Sequence, residues 1–309
     1  MKVFIKKCLI FLLLSLIIAF IADLIASKFI QPSGYMQGWQ DIYSNNINAD
    51  LLIFGSSRAQ KSFNPQIIED SLHISCYNLG LINARMQIDN LRLLEHLRVC
   101  SKKPKYITLE IDFFTFGMQR SLTNHWQLFP YMLFNENYYH CTHFMEGFYL
   151  VDYFVPLVRY SGYSNTIINN SISEHHKYIK GFIPIDNYMT INIVEEQRKI
   201  WNVKIQTDSD KLNYLYEFIN ICKSNGIKIN FVYCPQFKDV EKVLIDYDSI
   251  TNIIKNIAIQ NNIPFADFAQ PYFNNDTACF YDMRHLNSLG ADKFTSEYYV
   301  PWIKELYGL

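Results

Sequence analysis

Two short stretches hold residues whose types and spacing could do chemistry, "FGSSRAQ" at residues 54 to 60 and "FYDMRHLNSLG" at residues 280 to 290. In the second, Asp282 precedes His285 by three positions. That step is short enough for the carboxylate to fold back on the imidazole and fix its tautomer, as the orienting acid of a general base does. In the first, Gly55 allows a tight turn, and Ser56 and Ser57 follow at what reads as the mouth of a helix. Backbone amides and the positive end of a helix favour a nucleophile there, because its attack creates an oxyanion. Gly80, in "YNLGLINAR", is a bare position whose amide can approach the same point. Each stretch also has a plain structural use: Gly-Ser-Ser as a turn and N-cap, and Asp282 with His285 as a loop hydrogen bond beside a helix capped by Asn287 or Ser288.

These stretches need a frame that brings distant residues together, and the chain predicts one. Short apolar runs read as strands: "ADLLIFGSS", "CYNLG", "KYITLEIDFF", "IKINFVYCP" and "IPFADFA". Between them lie helical patterns. "NPQIIEDSL" carries an Asn cap and Pro at the first helical position, "ARMQIDNLRLLEHLRVC" has apolar residues at helical spacing, and "DSDKLNYLYEFINICKSNG" runs from a cap to a Gly stop. "DSITNIIKNIAIQNN" and "NSLGADKFTSEYYVPWIKELYGL" complete the set, with Pro301 set to start, kink or break the last helix. Strands apolar on both faces and separated by helices call for an α/β fold, a central parallel sheet of about five strands covered on both sides. Ligand sites in such sheets form beyond the carboxyl ends of the strands, where Ser57, Gly80 and the approach to His285 all fall.

The N-terminus is of another kind. Lys2, Lys6 and Lys7 precede an apolar run from Cys8 to Ala22, and a helix continuing to Ile30 would be roughly 34 Å long, enough to cross a bilayer. No small-x-small cleavage site follows, so residues 1–30 read as an uncleaved signal anchor, single-pass, with 31–309 forming an extracytoplasmic domain. A formal net charge of −1 gives no general pull toward nucleic acid. Half of the residues are hydrophobic, which supports a large packed core and excludes a disordered chain. Of seven cysteines none makes a CxxC or zinc-like spacing, and buried thiols are the default expectation. "HCTH", with His140, Cys141 and His143, has two potential ligands but no supporting partners for a metal, and His175 and His176 read as surface residues. No metal, nucleotide or other cofactor is implied.

Taken in order, these blocks resemble the SGNH or GDSL hydrolase superfamily, over roughly residues 49 to 115 and 209 to 300. "FGSS" is similar to the Gly-Asp-Ser block, with Ser56 in the Asp place and Ser57 in the nucleophile place; "NLG" is similar to the second block through Gly80, and "DMRHLNSLGADKF" to the last, Asp-x-x-His. The resemblance implies the three-layer α/β/α, flavodoxin-like SGNH fold, with Ser57, His285 and Asp282 as a catalytic triad and the amides of Ser57 and Gly80 in the oxyanion hole. The third block departs. "LEIDFFTF" has Asp112 near the place of the expected Asn, and an ionised Asp there would repel an oxyanion. Asn83 is the candidate to replace the missing amide side chain. Arg58 could bind an acidic substrate group or pair with a surface carboxylate.

Between the third and fourth strands, residues of about 113 to 208 break the alternation and are rich in aromatics, a lid or acceptor-binding wall on one reading and a self-packed helical subdomain on the other. Anchor, Gly-Ser-Ser, absent Asn and insert together resemble the membrane-anchored branch of the superfamily that includes the D-alanyl transfer protein of teichoic acids and the alginate O-acetylation proteins. That branch implies acyl or O-acetyl transfer to cell-envelope polysaccharide, beside a membrane-bound O-acyltransferase. A carbohydrate esterase that removes O-acyl groups, and a non-catalytic polysaccharide-binding or scaffold protein on a degenerate fold, remain the alternatives.

Overall fold

The computed structural model describes residues 1–29, 37–112, 115, 122, 124–163, 178–190, 195–196, 209–238, 240 and 247–309. His175 and His176, and much of the aromatic insert, lie outside them. In chain order the elements are α1 (Lys2–Phe29), α2 (Gln37–Tyr43), β1 (Leu51–Phe54), α3 (Ser57–Ser62), α4 (Pro65–Leu72), β2 (Cys76–Asn78), α5 (Met86–Val99) and β3 (Tyr106–Glu110). After these come α6 (Phe129–Met132), α7 (Glu136–Thr142), α8 (Leu150–Phe154), α9 (Ser209–Ser224), β4 (Lys228–Tyr233), α10 (Tyr247–Asn261), β5 (Phe265–Asp267), α11 (Ser288–Phe294) and α12 (Val300–Tyr307).

Two compact units divide the chain: Met1–Gln40 with Arg120–His175, and Asp41–Gln119 with His176–Leu309. The second unit is the α/β fold. Its five strands are all parallel, in the order β2-β1-β3-β4-β5, with Leu51 opposite Cys76 on one side and Tyr106 on the other. This is the doubly wound order with its switch point between β1 and β3. β1 is buried at every residue because both faces are covered. On one face Phe54 meets Phe218 of α9 edge-on, with ring centroids 5.3 Å apart, and α9 packs along α5. On the other, the hydroxyls of Thr108 and Tyr299 are 2.6 Å apart, and Phe63 packs edge-on against Phe294 and Tyr299. Pro301 does not break the last helical stretch: α11 runs through a wide π-type turn at Thr295–Tyr299 into α12, whose first turn holds the proline.

The first unit holds α1 and, of the aromatic insert, the described residues between 122 and 163. Among the described residues α1 is the one helix long and apolar enough to cross a membrane. Asp23, near its carboxyl end, receives both terminal nitrogens of Arg159, at 2.7 and 2.6 Å, and the Leu157 amide at 2.7 Å. Ser27 and the Tyr160 hydroxyl lie 2.7 Å apart, and Trp39 donates to Gln127 at 2.9 Å. The helices α6 to α8 surround a core of their own aromatics, including Tyr138 and Tyr153, both buried. Residues 178–190 belong to the second unit. The Asn78 amide donates to Lys180 O, and Gly181 presses on Asn78 so closely that a Cβ would meet the Asn78 carbonyl oxygen at 1.6 Å.

All seven cysteines are free thiols, five of them buried. His140 and His143 are exposed while Cys141 is buried, and His143 stacks on Tyr139; among the described residues no group of His, Cys, Asp and Glu could hold a metal ion.

Candidate active site

Gly55 sits at the end of β1 with φ of 133°, a conformation that favours glycine. A second reason for glycine is contact: a Cβ would lie 2.8 Å from the Glu110 side chain, which ends β3 beside it. The turn delivers Ser56 as the N-cap of α3, its hydroxyl accepting from the Arg58 amide at 3.1 Å. Ser57 then opens the helix, largely buried at 9 % exposure.

Far along the chain, β5 leads to the loop carrying Asp282 and His285. Asp282 accepts from the amides of Arg284 and His285 at 2.8 and 2.9 Å, so its carboxylate closes a small turn on its own backbone. Nδ1 of His285 lies 2.8 Å from one carboxylate oxygen and 2.9 Å from the other. An ionised carboxylate only accepts, so Nδ1 carries the proton and Nε2 is left as the acceptor. Ser57 Oγ stands 2.8 Å from that Nε2 and donates to it. The loop is held from behind, where Asn287 caps α11 through the Gly290 amide and donates to Ala278 O, and Ser288 bonds Asp186 and the Ile185 carbonyl.

Electrostatics follow from this enclosure. Burial opposes ionisation of Asp282, yet the hydrogen bond and charge of His285, with the Arg284 amide, hold its carboxyl well below the usual range. Burial pushes His285 below its ordinary 6.5, against the pull of Asp282, so the ring stays neutral and basic near neutrality. Lys61, over the Tyr281 ring at 5.1 Å, is lowered by burial as well.

Other expected site residues fall elsewhere. The Gly80 amide donates to Asn78 Oδ1 at 2.8 Å in the interior, so it is committed and does not serve as an oxyanion donor in this arrangement. Gly80 is glycine for packing: a Cβ would stand 2.3 Å from the Gln60 amide nitrogen in α3. Asn78 Nδ2 bonds Ala59 O and Phe63 O, tying β2 to α3. Asn83 is exposed in a turn with φ of 55°, and no hydrogen bond among the described residues joins its side chain to Ser57, His285 or Asp282. Left-handed turns suit Asn, which accounts for it without catalysis. Arg58 meets neither expectation. It is fully buried, donates to Asp112 at 3.2 Å and to the carbonyls of Cys234 and Pro235, and lies 4.7 Å from the Tyr233 ring centre. No solvent or surface carboxylate reaches it. Asp112 is therefore the partner of a structural arginine. Of the expected oxyanion donors, the Ser57 amide keeps no hydrogen bond among the described residues.

Glu110 is the residue that the sequence patterns passed over. Its Oε2 accepts the Ser56 amide at 3.0 Å and the Ser56 hydroxyl at 2.8 Å, fixing the turn that presents Ser57. Burial, then the nearby Asp112 carboxylate, pushes it up to about 7 against the opposing pull of Arg58. Its signal was in plain view: a single carboxylate ending a strand otherwise buried on both faces.

No family model matches the chain, and no curated protein does. Among solved structures, a GDSL-like lipase from Bacteroides thetaiotaomicron is similar with a TM-score of 0.43 and 11% identity, over 88% of this chain and 99% of that one. An active-site mutant of a family two carbohydrate esterase from Clostridium thermocellum is similar with a TM-score of 0.35 and 10% identity, over 84% of this chain and 64% of that one.

Proposed function

We propose that this protein is a membrane-anchored, extracytoplasmic serine enzyme of the SGNH type that transfers an acyl group, such as acetyl, to a hydroxyl of cell-envelope polysaccharide. The observation that carries the reading is the unbroken line from Asp282 through His285 to Ser57, with two contacts of 2.8 Å. Ser57 Oγ attacks the ester carbonyl of a donor as its proton passes to His285 Nε2, and Asp282 stabilises the imidazolium. The Ser57 amide steadies the oxyanion. Collapse expels the donor alcohol, which takes the proton from His285, and leaves the acyl group on Ser57. A sugar hydroxyl, deprotonated by the same His285, then attacks the acyl-enzyme and restores the free serine.

The apolar helix α1 favours this acceptor, since an anchored enzyme outside the membrane meets envelope glycans and the donors handed to them by a membrane-bound O-acyltransferase. Water in place of the sugar would make the same machinery an esterase. The full-length protein in detergent, incubated with an aryl acetate and an oligosaccharide and followed by mass spectrometry, separates the cases. Acetyl on Ser57 that moves to sugar supports transfer, and acetyl lost only to water makes the protein an esterase. If wild type is acetylated no more than Ser57→Ala with several donors, the protein is a non-catalytic binder.

A further inference from the structure

The first unit exposes large apolar side chains that its own packing does not need. Phe134, Tyr149, Leu150, Val151, Phe154 and Val155 are between 40 and 70 % exposed, all within one short stretch around α7 and α8. A contiguous face of this kind marks an interaction surface. What covers it can be read from its continuity with α1. The Phe134 ring lies 6.4 Å from that of Phe20, inside the apolar run of α1, and 6.5 Å from Phe154. Whatever surrounds Phe20 therefore surrounds Phe134 at the same depth.

We propose that this face of residues 134–155 is sunk in the lipid bilayer beside α1, as a collar at the outer end of the spanning helix. The inference rests on the anchoring proposed above. Four features fit a lipid occupant. Asp23 and Arg159, a charged pair beside this face, satisfy each other through two hydrogen bonds with 1 % of either side chain exposed, as ionisable groups at membrane depth must, while Glu136 and Glu146 on the same stretch are exposed and would face the headgroups and water. Leu24 and Ile25 stay about half exposed beyond Asp23, so the unit covers one side of the helix and leaves the other bare to lipid. From Phe20 to Ile25 the helix rises about 7.5 Å, within the depth to which interfacial helices sink, roughly 5–10 Å. Tyr149, the most exposed of the set, supplies the amphipathic ring found at membrane surfaces.

The test places the photo-crosslinker p-benzoylphenylalanine in the full-length chain at Leu14 in α1, at Tyr149, at Phe154, and at Ile259, which is exposed in the other unit, and irradiates the membranes of the expressing cells. Mass spectrometry reads the adducts. Lipid adducts at 149 and 154 comparable with those at 14, and their loss at 259, are expected. Lipid adducts at 14 alone overturn the collar and leave the anchor standing. Adducts of 149 and 154 with another polypeptide in place of lipid also overturn it, because the face is then a protein interface. An absence of lipid adducts at 14 removes the anchor, and the collar with it.

Discussion

Arg58 donates to Asp112 at 3.2 Å behind the turn that carries Ser56 and Ser57, and neither side chain is open to solvent. The residue after Ser57 is thus tied to the end of β3, and through Cys234 O and Pro235 O to the end of β4. Arg58→Met removes the buried counter-charge of Asp112, which keeps its bond from the Thr115 amide, and strips two interior carbonyls of this donor, and a loss of about 3–5 kcal/mol is expected. Arg58→Lys should recover little, because an ammonium lacks the planar fork that reaches all three acceptors. Urea unfolding followed by circular dichroism measures this. Unchanged stability with a raised KM would return Arg58 to a substrate role.

Asp282→Asn separates orientation from folding. The amide oxygen of Asn can still accept from the Arg284 and His285 amides, so the loop should keep its shape and the melting temperature should move little. The side-chain NH2, however, favours the His285 tautomer with its proton on Nε2, facing Ser57. A fall in kcat of roughly 10³–10⁴-fold is expected for aryl ester turnover, as in other triads. A fall of less than tenfold would mean that Asp282 only closes the turn.

The pH profile tests His285 directly. The ring must be neutral to accept the Ser57 proton, and burial holds it below its ordinary 6.5. Activity should therefore be on a plateau near neutrality and fall along a single acid limb centred below pH 6.5. A limb above that value would show the imidazolium to be stabilised in the free enzyme, against the burial seen around it.

How much of this was legible depends on whether a residue's partner lies near in sequence or is announced by its type. The five strands could be read because a parallel sheet buries both faces and leaves uninterrupted apolar runs. Asp282 and His285 could be paired because three residues separate them. Arg58 could not be placed: its partners lie 54, 176 and 177 positions away, two of them backbone carbonyls that no sequence pattern marks. Gly80 was read as a bare amide, whereas the structure spends that amide on Asn78 and uses the missing Cβ to let α3 approach. The resemblance directed attention to an absent Asn near position 112, and Glu110, two residues earlier, went unremarked. In the register of the sheet Phe54 lies opposite Leu109, so Gly55 and Glu110 are next in line on adjacent strands.

That neighbour gives the last prediction. Burial and Asp112 raise Glu110 from its ordinary 4.5 to about 7. Below 4.5 both folded and unfolded chains hold the proton, and the group adds nothing to the pH dependence. Between 4.5 and 7 the unfolded chain releases it first, so Glu110 costs stability increasingly as pH rises, and the full cost persists above 7. His285, lowered by burial, acts in the opposite sense below 6.5, so the net curve of the wild type conceals both. Comparison with Glu110→Gln isolates the carboxyl, because a Gln oxygen can still accept both bonds from Ser56. The variant should gain on the wild type by about 2–3 kcal/mol between the two limits, read as a growing gap in urea midpoints. A gap that stays constant with pH would mean that Glu110 is ionised in the folded protein and that Arg58 outweighs its burial.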